Sequence, residues 1–300
     1  MIFLGQNDTI ESPTAITVGM FDGLHLGHRK LIANLKESAG GLKTMIFTFR
    51  VADEAGSIYT NAEKELLLSK TGADYAYLQE CTQEFYATDR DLFIRELISR
   101  YNMQKLAAGV DFRFGKGAAG NSDYLLHNTD RFGYSVEIVP PVMWGEEKIS
   151  STRIRALISS GNVLEASRML GDYYFITGRV EEGKRTGSSI GFPTANIKSP
   201  KLKPVNGVYA TLTEVDEKTY QSVTNVGVCP TVSGSGIVNI ETNIFDFNYK
   251  IYNEDIAVHF VDRIRGEIKF GSLEELKNQI ARDKGKALEI LAEIGKSAPF

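Results

Sequence analysis

The pattern of apolar residues changes at about Gly171, and this change constrains the fold of the 300-residue chain more than any other feature. Up to that residue, short apolar runs alternate with segments whose apolar residues recur at helical spacing. The strand-like runs are 15–20, 43–48, 75–78, 105–110 and 135–139, and the helical segments are 25–38, 62–70 and 89–100. Because strands that alternate with helices form parallel sheets, we predict a doubly wound α/β domain with its site at the carboxyl ends of the strands.

After Gly171, strand-like runs follow one another with Gly, Pro, Asn and Asp turns between them. These runs are 174–180, 208–213, 223–228, 238–247 and 256–261, and helical segments at 151–160 and 164–170 precede them. A long helix is predicted at the end of the chain, and a capping box at Ser272 and Glu275 marks its start. A similar capping box at Thr60 and Glu63 marks the start of an earlier helix. Successive strands without helices predict an antiparallel β-barrel. We expect two domains, 1–171 and 172–300.

The composition is that of a globular protein, with 42% hydrophobic and 24% charged residues. A net charge of −4 argues against a dedicated nucleic-acid binder. Cys81 and Cys229 have no metal-ligand spacing around them, which favours two reduced thiols. Neither a signal-peptide pattern nor an apolar run near the roughly 20 residues of a membrane span is present. We expect a cytoplasmic location and no membrane or nucleic-acid partner.

The first apolar run leads into a pair of histidines flanked by glycines. The chain turns at Gly19 and Gly23 and then enters a helix near His25 and His28. Glycine lets the backbone approach a phosphate, and a helix N-terminus offers free amides. Histidines three apart project the same way and suit the charge that develops during phosphoryl displacement. A capping or packing role for either histidine is the alternative.

Two further segments of the first half carry polar groups. Ser150–Thr152 place hydroxyls at a predicted helix start, and Arg155 follows with a fork-shaped guanidinium, a combination that suits a triphosphate. A simple N-cap is the alternative for the hydroxyls. A glycine-rich loop over 109–117, followed by Gly120 and Asn121, comes after a predicted strand end, a common place for a ligand-binding loop.

The second half carries its own constellation between 183 and 196. It is not a Walker loop, but its glycines lie beside Lys184 and Arg185. Thr194 and Asn196 alternate on an extended segment, so both side-chain oxygens could face one Mg²⁺ ion. A surface hairpin with ordinary turn glycines is the alternative.

These motifs carry a family resemblance. Gly19-x-Phe21-Asp22-Gly23-x-His25-x-Gly27-His28 resembles the motif of the prokaryotic FAD synthetase (bifunctional riboflavin kinase/FMN adenylyltransferase) family, one of the HxGH nucleotidyltransferases with a Rossmann-like sheet. Segment 149–155 resembles the late motif that holds the nucleotide triphosphate in these enzymes. Segment 191–196 resembles the riboflavin kinase motif, and similar segments follow it in the expected order to 270.

The resemblance implies two Mg²⁺-dependent reactions with ATP, riboflavin and FMN as substrates: phosphorylation of riboflavin to FMN, then adenylylation of FMN to FAD with release of pyrophosphate. The implied catalytic residues are His25, His28 and Glu241. The implied nucleotide-binding residues are Gly19, Phe21, Asp22, Gly23, Gly27, Ser151, Thr152, Arg155, Gly178, Gly183, Lys184, Gly187, Gly191, Pro193, Thr194 and Asn196. The implied flavin-binding residues are Asp111, Phe112, Arg113, Asn121 and Arg265, and the implied metal ligands are Thr194 and Asn196.

The resemblance also implies roles. Glu241 would accept the proton of the ribityl hydroxyl as its oxygen attacks the γ-phosphorus. In the other half, the FMN phosphate would attack the α-phosphorus of ATP. His25 and His28 would stabilise the transition state, and Ser151, Thr152 and Arg155 would hold the leaving pyrophosphate.

The chain departs from its relatives at three places. Arg50-Val51-Ala52-Asp53 stands where many relatives carry Pro-His-Pro, so adenylylation is slower or Arg50 substitutes for the missing histidine. Cys229 and Asn243 also differ, in the kinase half. The alternatives are therefore a protein with one surviving activity, a non-catalytic flavin-binding regulator, or a nucleotidyltransferase for another substrate such as a pantetheine phosphate or nicotinate nucleotide. A weak homo-oligomer is left open.

Overall fold

The computed structural model describes residues 1–182, 192–228 and 238–294, and its internal contacts separate two units, Met1–Ser151 and Thr152–Phe300. The division comes before the helical segments 151–160 and 164–170, whereas the sequence predicts a boundary after them. The boundary at 171/172 stays a prediction.

The first unit is built around a parallel sheet. Its elements are β1 (Ile2–Phe3), β2 (Thr14–Val18), α1 (Leu26–Glu37), β3 (Lys43–Arg50), α2 (Asn61–Ser69), β4 (Tyr75–Glu80), α3 (Gln83–Tyr86), α4 (Arg90–Tyr101), β5 (Met103–Gly109), β6 (Arg113–Phe114), a 3₁₀ turn (Lys116–Ala118), β7 (Gly120–Asn121), α5 (Ser122–His127), α6 (Thr129–Phe132), β8 (Ser135–Val139), β9 (Met143–Trp144) and β10 (Glu147–Lys148).

Six strands form this sheet in the order β1-β4-β3-β2-β5-β8, and every adjacent pair is parallel. From β2 the chain proceeds to β3 and β4 on one side, and it continues at β5 and β8 on the other. The strand order therefore reverses between β2 and β5, and ligands of open α/β sheets bind outside the carboxyl ends of the strands at such a point. The predicted parallel sheet is confirmed, and its topology directs attention to the segments after Val18 and Gly109.

Local sequence explains why these elements form. All five residues of β2 are buried, as expected for a central strand covered on both faces. Helix α1 turns Leu31, Ile32 and Leu35 toward the core. The predicted capping box of α2 is present, since the Thr60 side chain accepts from the Glu63 amide and the Glu63 carboxylate accepts from the Thr60 amide.

The second unit is an antiparallel sheet with helices. Its elements are α7 (Ser151–Ser160), α8 (Val163–Leu170), β11 (Tyr174–Arg179), β12 (Ala195–Ile197), β13 (Gly207–Val215), β14 (Lys218–Val228), β15 (Val238–Ile244), β16 (Asp255–Arg265) and α9 (Leu273–Ile294). The sheet order is β11-β16-β13-β14-β15-β12, with antiparallel pairs throughout.

The two edge strands of this sheet meet. Just beyond β11, Glu181 forms an isolated antiparallel bridge with Asn196 of β12, and the Glu181 amide donates to the Asn196 carbonyl at 2.9 Å. We call this contact the seam. It connects the ends of the curled sheet and confirms the predicted antiparallel barrel architecture.

Helix α9 covers one face of the barrel sheet. Ala287 and Leu291 of the helix belong to the same buried cluster as Val208, Ala210 and Val261 of the strands. Its predicted capping box is only half formed. The Ser272 hydroxyl accepts from the Glu275 amide at 3.2 Å, but the Glu275 carboxylate accepts from Gly271, one residue earlier than a capping box requires.

Candidate active sites

The loop between β2 and α1 has an unusual backbone. Phe21 and Leu24 have φ values of 46° and 41°, and Gly23 has a φ of 87°. The amide of Leu24 donates to the Phe21 carbonyl at 3.2 Å, which closes a tight turn. Residues other than glycine rarely adopt this left-handed backbone conformation, and residues strained in this way cluster at functional sites. The turn thus has the backbone character of a binding loop.

Two stacked imidazoles lie directly after this turn. The ring centroids of His25 and His28 lie 3.6 Å apart with an interplanar angle of 15°, and the Phe21 ring meets His28 edge-on at 5.1 Å. His25 is the N-cap of α1, because its Nδ1 accepts from the His28 amide at 3.3 Å. A Cβ on Gly27 would lie 3.1 Å from Cε1 of His25, so the glycine makes room for the ring. The capping alternative is therefore real, and it leaves Nε2 of His25 for a ligand.

Burial keeps both imidazoles neutral. It lowers the pKa of His25 to about 4, against smaller opposing effects from a backbone hydrogen bond and from Asp111. The pKa of His28 is also lowered, by burial first and then by the nearby His25 and Lys64. Nδ1 of His28 is buried and has no hydrogen-bond partner within the residues described above. At neutral pH the pair thus offers uncharged N–H groups to a ligand.

Asp22 connects this turn to other predicted site segments. Its buried carboxylate accepts from the Ile58 amide at 3.0 Å. Its carbonyl accepts from the Ser151 hydroxyl at 2.8 Å, which brings Ser151 of the late motif against the histidine turn. Thr152 and Arg155 follow Ser151 in the first turns of α7, in the second unit.

The two cations near the end of β3 differ in environment. Arg50, the predicted substitute for the missing histidine, forms ion pairs with Glu65 at 2.8 Å and Glu80 at 3.3 Å. Lys64 of α2 is 2% exposed, and its ammonium donates to the Phe49 carbonyl at 2.8 Å. Burial lowers the pKa of Lys64, and the charge of Asp22 opposes that effect.

Lys64 is not among the site residues predicted above, although its position in the sequence carries a signal. Lys64 precedes Leu67 and Leu68 by three and four residues, so it lies on the apolar face of α2. A lysine on an apolar helix face is rarely fully buried without a specific role.

The loop after β5 lies on the other side of the point where the strand order reverses. The Asp111 carboxylate accepts from the Lys148 ammonium at 2.7 Å, and this bond is the main cause that holds the pKa of Asp111 below its ordinary value. Asp111 is also near enough to His25 for its charge to raise the pKa of that imidazole slightly, against the larger effect of burial.

The other predicted flavin-binding residues of this loop have structural partners as well. The rings of Phe112 and Phe114 stack with centroids 5.3 Å apart. Asn121 caps α5 by accepting from the Tyr124 amide at 2.8 Å. Arg113 is exposed and donates to the neighbouring Phe112 carbonyl at 3.2 Å. A half-buried ring with an exposed guanidinium beside it is suited to a flat aromatic ligand.

The second unit contains a cavity of about 530 Å³. Its wall combines apolar side chains with a few charged and amide groups, the composition of a small-molecule site. The lining residues are Phe192, Thr194, Val208, Val223, Asn225, Glu241, Asn243, Arg265, Glu267, Ile268, Lys269, Phe270, Leu276, Ile280 and Asp283. Three residues with different predicted roles thus line one cavity: the base Glu241, the metal ligand Thr194 and the flavin-binding residue Arg265.

Arg265 is held by a residue that the sequence analysis did not select. Asp283 of α9 is 4% exposed and binds the guanidinium through both carboxylate oxygens, at 2.6 Å to Nη2 and 2.9 Å to Nε. The pair fixes the fork-shaped head of Arg265 against the cavity.

An amide network surrounds Glu241. The Asn239 side-chain nitrogen donates to Oδ1 of Asn196 at 3.1 Å and to Oε1 of Glu241 at 2.9 Å. The Asn196 side-chain nitrogen donates to the Thr194 carbonyl at 3.4 Å. Asn243 donates to the Pro193 carbonyl at 2.7 Å, so this departure from the relatives also positions the segment before β12.

The remaining predicted site residues are less informative. A Cβ on Gly178 would lie 2.9 Å from Cβ of Ile197, so the close approach of β11 and β12 by itself requires glycine there. Gly183, Lys184, Gly187, Gly191 and Cys229 lie outside the described residues.

Two further features concern membranes and metals. No described helix is long and apolar enough to cross a membrane. Among residues 1–182, 192–228 and 238–294, no three His, Cys, Asp or Glu side chains form a group that could hold a metal ion.

Two family models match the chain in tandem. The FAD synthetase model matches residues 7–153, and the riboflavin kinase model matches residues 170–291. Curated bifunctional riboflavin kinase/FMN adenylyltransferases are similar over nearly the whole length. The Bacillus subtilis protein is 32% identical over 95% of both chains, and the Escherichia coli protein is 35% identical over 91% of both. The chain belongs to this family.

Membership confirms the prediction of a bifunctional transferase that is both a riboflavin kinase and an FMN adenylyltransferase. A solved structure from Streptococcus pneumoniae, described as a macrolide-efflux protein, is also similar. It has a TM-score of 0.86 and 31% identity over 95% of this chain and 98% of that one. Its description differs from those of the family models and the curated relatives, and the assignment rests on the latter two.

Proposed function

We propose that each of the two activities of this chain has its own constellation of residues. The second unit would convert riboflavin and ATP to FMN and ADP, and the histidine turn would serve the conversion of FMN and ATP to FAD and pyrophosphate. The observation that carries the proposal is the position of Glu241 in the wall of an apolar-walled cavity, beside Thr194.

In the kinase reaction, the apolar wall would hold the flavin ring and Glu241 would accept the proton of the ribityl hydroxyl. The hydroxyl oxygen then attacks the γ-phosphorus of ATP, and ADP leaves. The hydroxyl of Thr194 and the amide oxygen of Asn196 are hard donors that fit Mg²⁺, which typically takes a few protein oxygens together with substrate phosphates. The bound ion would neutralise phosphate charge there.

In the transferase reaction, a phosphate oxygen of FMN would attack the α-phosphorus of ATP and displace pyrophosphate. The FMN phosphate is already ionised near neutral pH, so positioning and charge stabilisation matter more than a general base. Neutral imidazoles suit this role, because His25 and His28 would donate N–H groups to the developing negative charge. Ser151, Thr152 and Arg155 would hold the leaving pyrophosphate.

We assign the positive charge of the transferase site to Lys64 rather than to Arg50. Two carboxylates already neutralise Arg50 at distances of 2.8 and 3.3 Å. Lys64 is buried and close enough to His28 to lower its pKa. A buried ammonium beside the histidine pair supports adenylylation without the Pro-His-Pro histidine. A cytoplasmic location is proposed because both reactions consume ATP.

A product assay tests both activities in one protein. The full-length chain is incubated with MgATP and either riboflavin or FMN, and flavins are separated by chromatography. We expect FMN and FAD from riboflavin, and FAD from FMN. His28→Ala should lower FAD formation at least about 100-fold and spare FMN formation. Glu241→Gln should lower FMN formation from riboflavin about 100-fold or more, to a residual rate that can still be measured, and should spare FAD formation from supplied FMN.

Each rival gives another result. FMN without FAD would identify a chain with kinase activity alone. Flavin binding without any product would identify a non-catalytic regulator. Loss of FMN formation in His28→Ala, or loss of FAD formation from supplied FMN in Glu241→Gln, would contradict two separate constellations.

A further inference from the structure

Asn239 joins the two most important candidate residues of the kinase cavity, and neither the family motif nor the reaction requires it. It precedes Glu241 by two residues on β15, so both side chains project from the same face of the sheet. A primary amide nitrogen has two hydrogens. Here one points to Oδ1 of Asn196 at 3.1 Å and the other to Oε1 of Glu241 at 2.9 Å.

The register of the strands explains why a donor is needed at this place. Asn196 of β12 pairs directly with Glu241 of β15. Residues directly opposite each other in a sheet have neighbouring side chains. The amide oxygen of Asn196 and the ionised carboxylate of Glu241 are both acceptors, so they cannot bond to each other. A donor between them replaces repulsion with two hydrogen bonds.

The bridge also fixes which atoms each partner presents. Because Oδ1 of Asn196 accepts from Asn239, Nδ2 of Asn196 is turned toward the Thr194 carbonyl. The oxygen keeps a second lone pair for a cation. Within the described residues, Oε1 is the Glu241 oxygen that has a hydrogen bond, so Oε2 is the one available to a substrate hydroxyl.

We propose that Asn239 is a positioning residue for phosphoryl transfer, which sets the distance and orientation of Asn196 relative to Glu241. The inference rests on the proposed roles of those two residues. The Asn239 side chain thus connects the residue that would bind MgATP, Asn196, to the residue that would accept the proton of the ribityl hydroxyl, Glu241. Rigid placement of this kind matters because small displacements of reacting groups have large effects on rate.

The test compares Asn239→Asp and Asn239→Ala with the parent in the full-length protein. Aspartate keeps the size of asparagine but has no donor when ionised. Steady-state FMN formation gives kcat, the riboflavin KM and the Mg²⁺ concentration for half-maximal rate. Asn248→Asp makes the same chemical change at an exposed position soon after β15 and is the matched control. Riboflavin binding and thermal unfolding report whether the kinase unit of each variant is folded, and FAD formation from supplied FMN reports the same for the first unit.

We expect kcat for FMN formation to fall roughly 10- to 100-fold in both Asn239 variants, the range for losing a hydrogen bond to a charged group. The Mg²⁺ requirement should rise, the riboflavin KM should stay within about threefold because the apolar wall is intact, and FAD formation should be unchanged. A kcat that stays at the parental value would overturn the proposal.

A double variant separates this inference from the roles on which it rests. If Asn239 acts through Glu241, Asn239→Asp combined with Glu241→Gln should have the same kcat as Glu241→Gln alone. Fully additive losses would show that Asn239 acts independently and would overturn the inference while leaving Glu241 as the base. Parental kcat in Glu241→Gln alone would instead overturn the assignment of the base, and the inference with it.

Discussion

The imidazole of His25 stacks on that of His28 at 3.6 Å, and the residue that permits this stack is Gly27, on the first turn of the same helix. Three features together hold the two rings in place: the helix cap made by His25, the space left by Gly27 and the edge of the Phe21 ring. Perturbing any of these three should change the transferase activity while leaving the kinase activity intact.

Gly27→Ala should displace His25. The new Cβ would lie 3.1 Å from Cε1 and 3.2 Å from Nδ1 of the ring, closer than ordinary contact. We expect FAD formation from FMN to fall about 10-fold or more, since small misplacements at a site are costly. Chromatography of FAD measures the loss, and FMN formation from riboflavin is the internal control.

Thermal unfolding distinguishes this effect from instability. Alanine is favoured over glycine inside a helix by about 1 kcal/mol, so the melting temperature should not fall. Parental FAD formation in Gly27→Ala would show that the position of the His25 ring is unimportant.

The protonation of the histidine pair can be followed directly. With a pKa of about 4, His25 should remain neutral well below the ordinary histidine range, and His28 should do the same. Between the unfolded and folded pKa values the unfolded chain binds more protons, so the free energy of unfolding should decrease as pH falls through about 6.5 toward 4. NMR titration of histidine-labelled protein measures the midpoints.

His25→Gln and His28→Gln assign the two resonances in that titration. A midpoint near about 6.5 for either ring would mean that the imidazole is solvated and charged in mild acid. It would then contradict the proposal that neutral N–H groups face the nucleotide.

Lys64→Met should impair FAD formation more than Arg50→Met. The first substitution removes a buried ammonium next to His28, while the second removes a cation that two carboxylates already neutralise. We expect at least about a 10-fold fall in kcat/KM for ATP in Lys64→Met, and a change within about twofold in Arg50→Met. Initial rates of FAD formation at varied ATP measure both.

Stability provides the control for this pair. Lys64→Met leaves the Phe49 carbonyl without its donor, so the free energy of unfolding should fall by about 1–3 kcal/mol, and the rates are compared well below the melting temperature of the variant. The reverse ranking of the two variants would return the phosphate-binding role to Arg50.

Asp283→Asn should weaken riboflavin binding. The substitution removes the charge that holds Arg265 in its bidentate pair, and the Asp283 side chain is only 5% exposed. We expect the riboflavin KM to rise about 10-fold and the free energy of unfolding to fall by about 3–5 kcal/mol, the range for breaking a buried ion pair. Enzyme kinetics and chemical denaturation measure the two effects.

The matched control is Glu289→Gln on the same helix, since Glu289 forms an ion pair with Lys286 whose side chains are 66% and 58% exposed. An exposed pair of this kind contributes little, at most about 1 kcal/mol. Equal effects of the two substitutions would show that the Arg265–Asp283 pair has no special role.

The sequence predicted the parts of the fold that depend on local periodicity. Each long strand of the first sheet was recognised because its apolar run is continuous and bounded by turn residues, with ends displaced by at most two residues. Strand β12 was not recognised, because it has only three residues and follows Pro193. Its existence depends on pairing with β15, which is distant in sequence.

The same distinction between local and distant contacts applies to the candidate sites. The histidine pair is local, three residues apart on one turn, so spacing alone brought His25 and His28 together. Asn239 and Asp283 were missed because their partners are set by register and helix packing: Asn196 is 43 residues from Asn239, and Arg265 is 18 residues from Asp283. The environment of Arg50 likewise depends on Glu65 and Glu80, which the sequence did not place beside it.

The seam between Glu181 and Asn196 has a consequence for how the kinase barrel opens. Among the described residues, the backbone bond across the seam is the 2.9 Å hydrogen bond from the Glu181 amide to Asn196, the residue proposed to bind MgATP, and an exposed ion pair between Glu181 and Lys198 lies beside it. Segments with few protecting bonds open first, and a ligand that binds only the closed form suppresses opening. Hydrogen exchange at the Glu181 amide should therefore slow when MgATP is added, so this one backbone proton reports nucleotide occupancy.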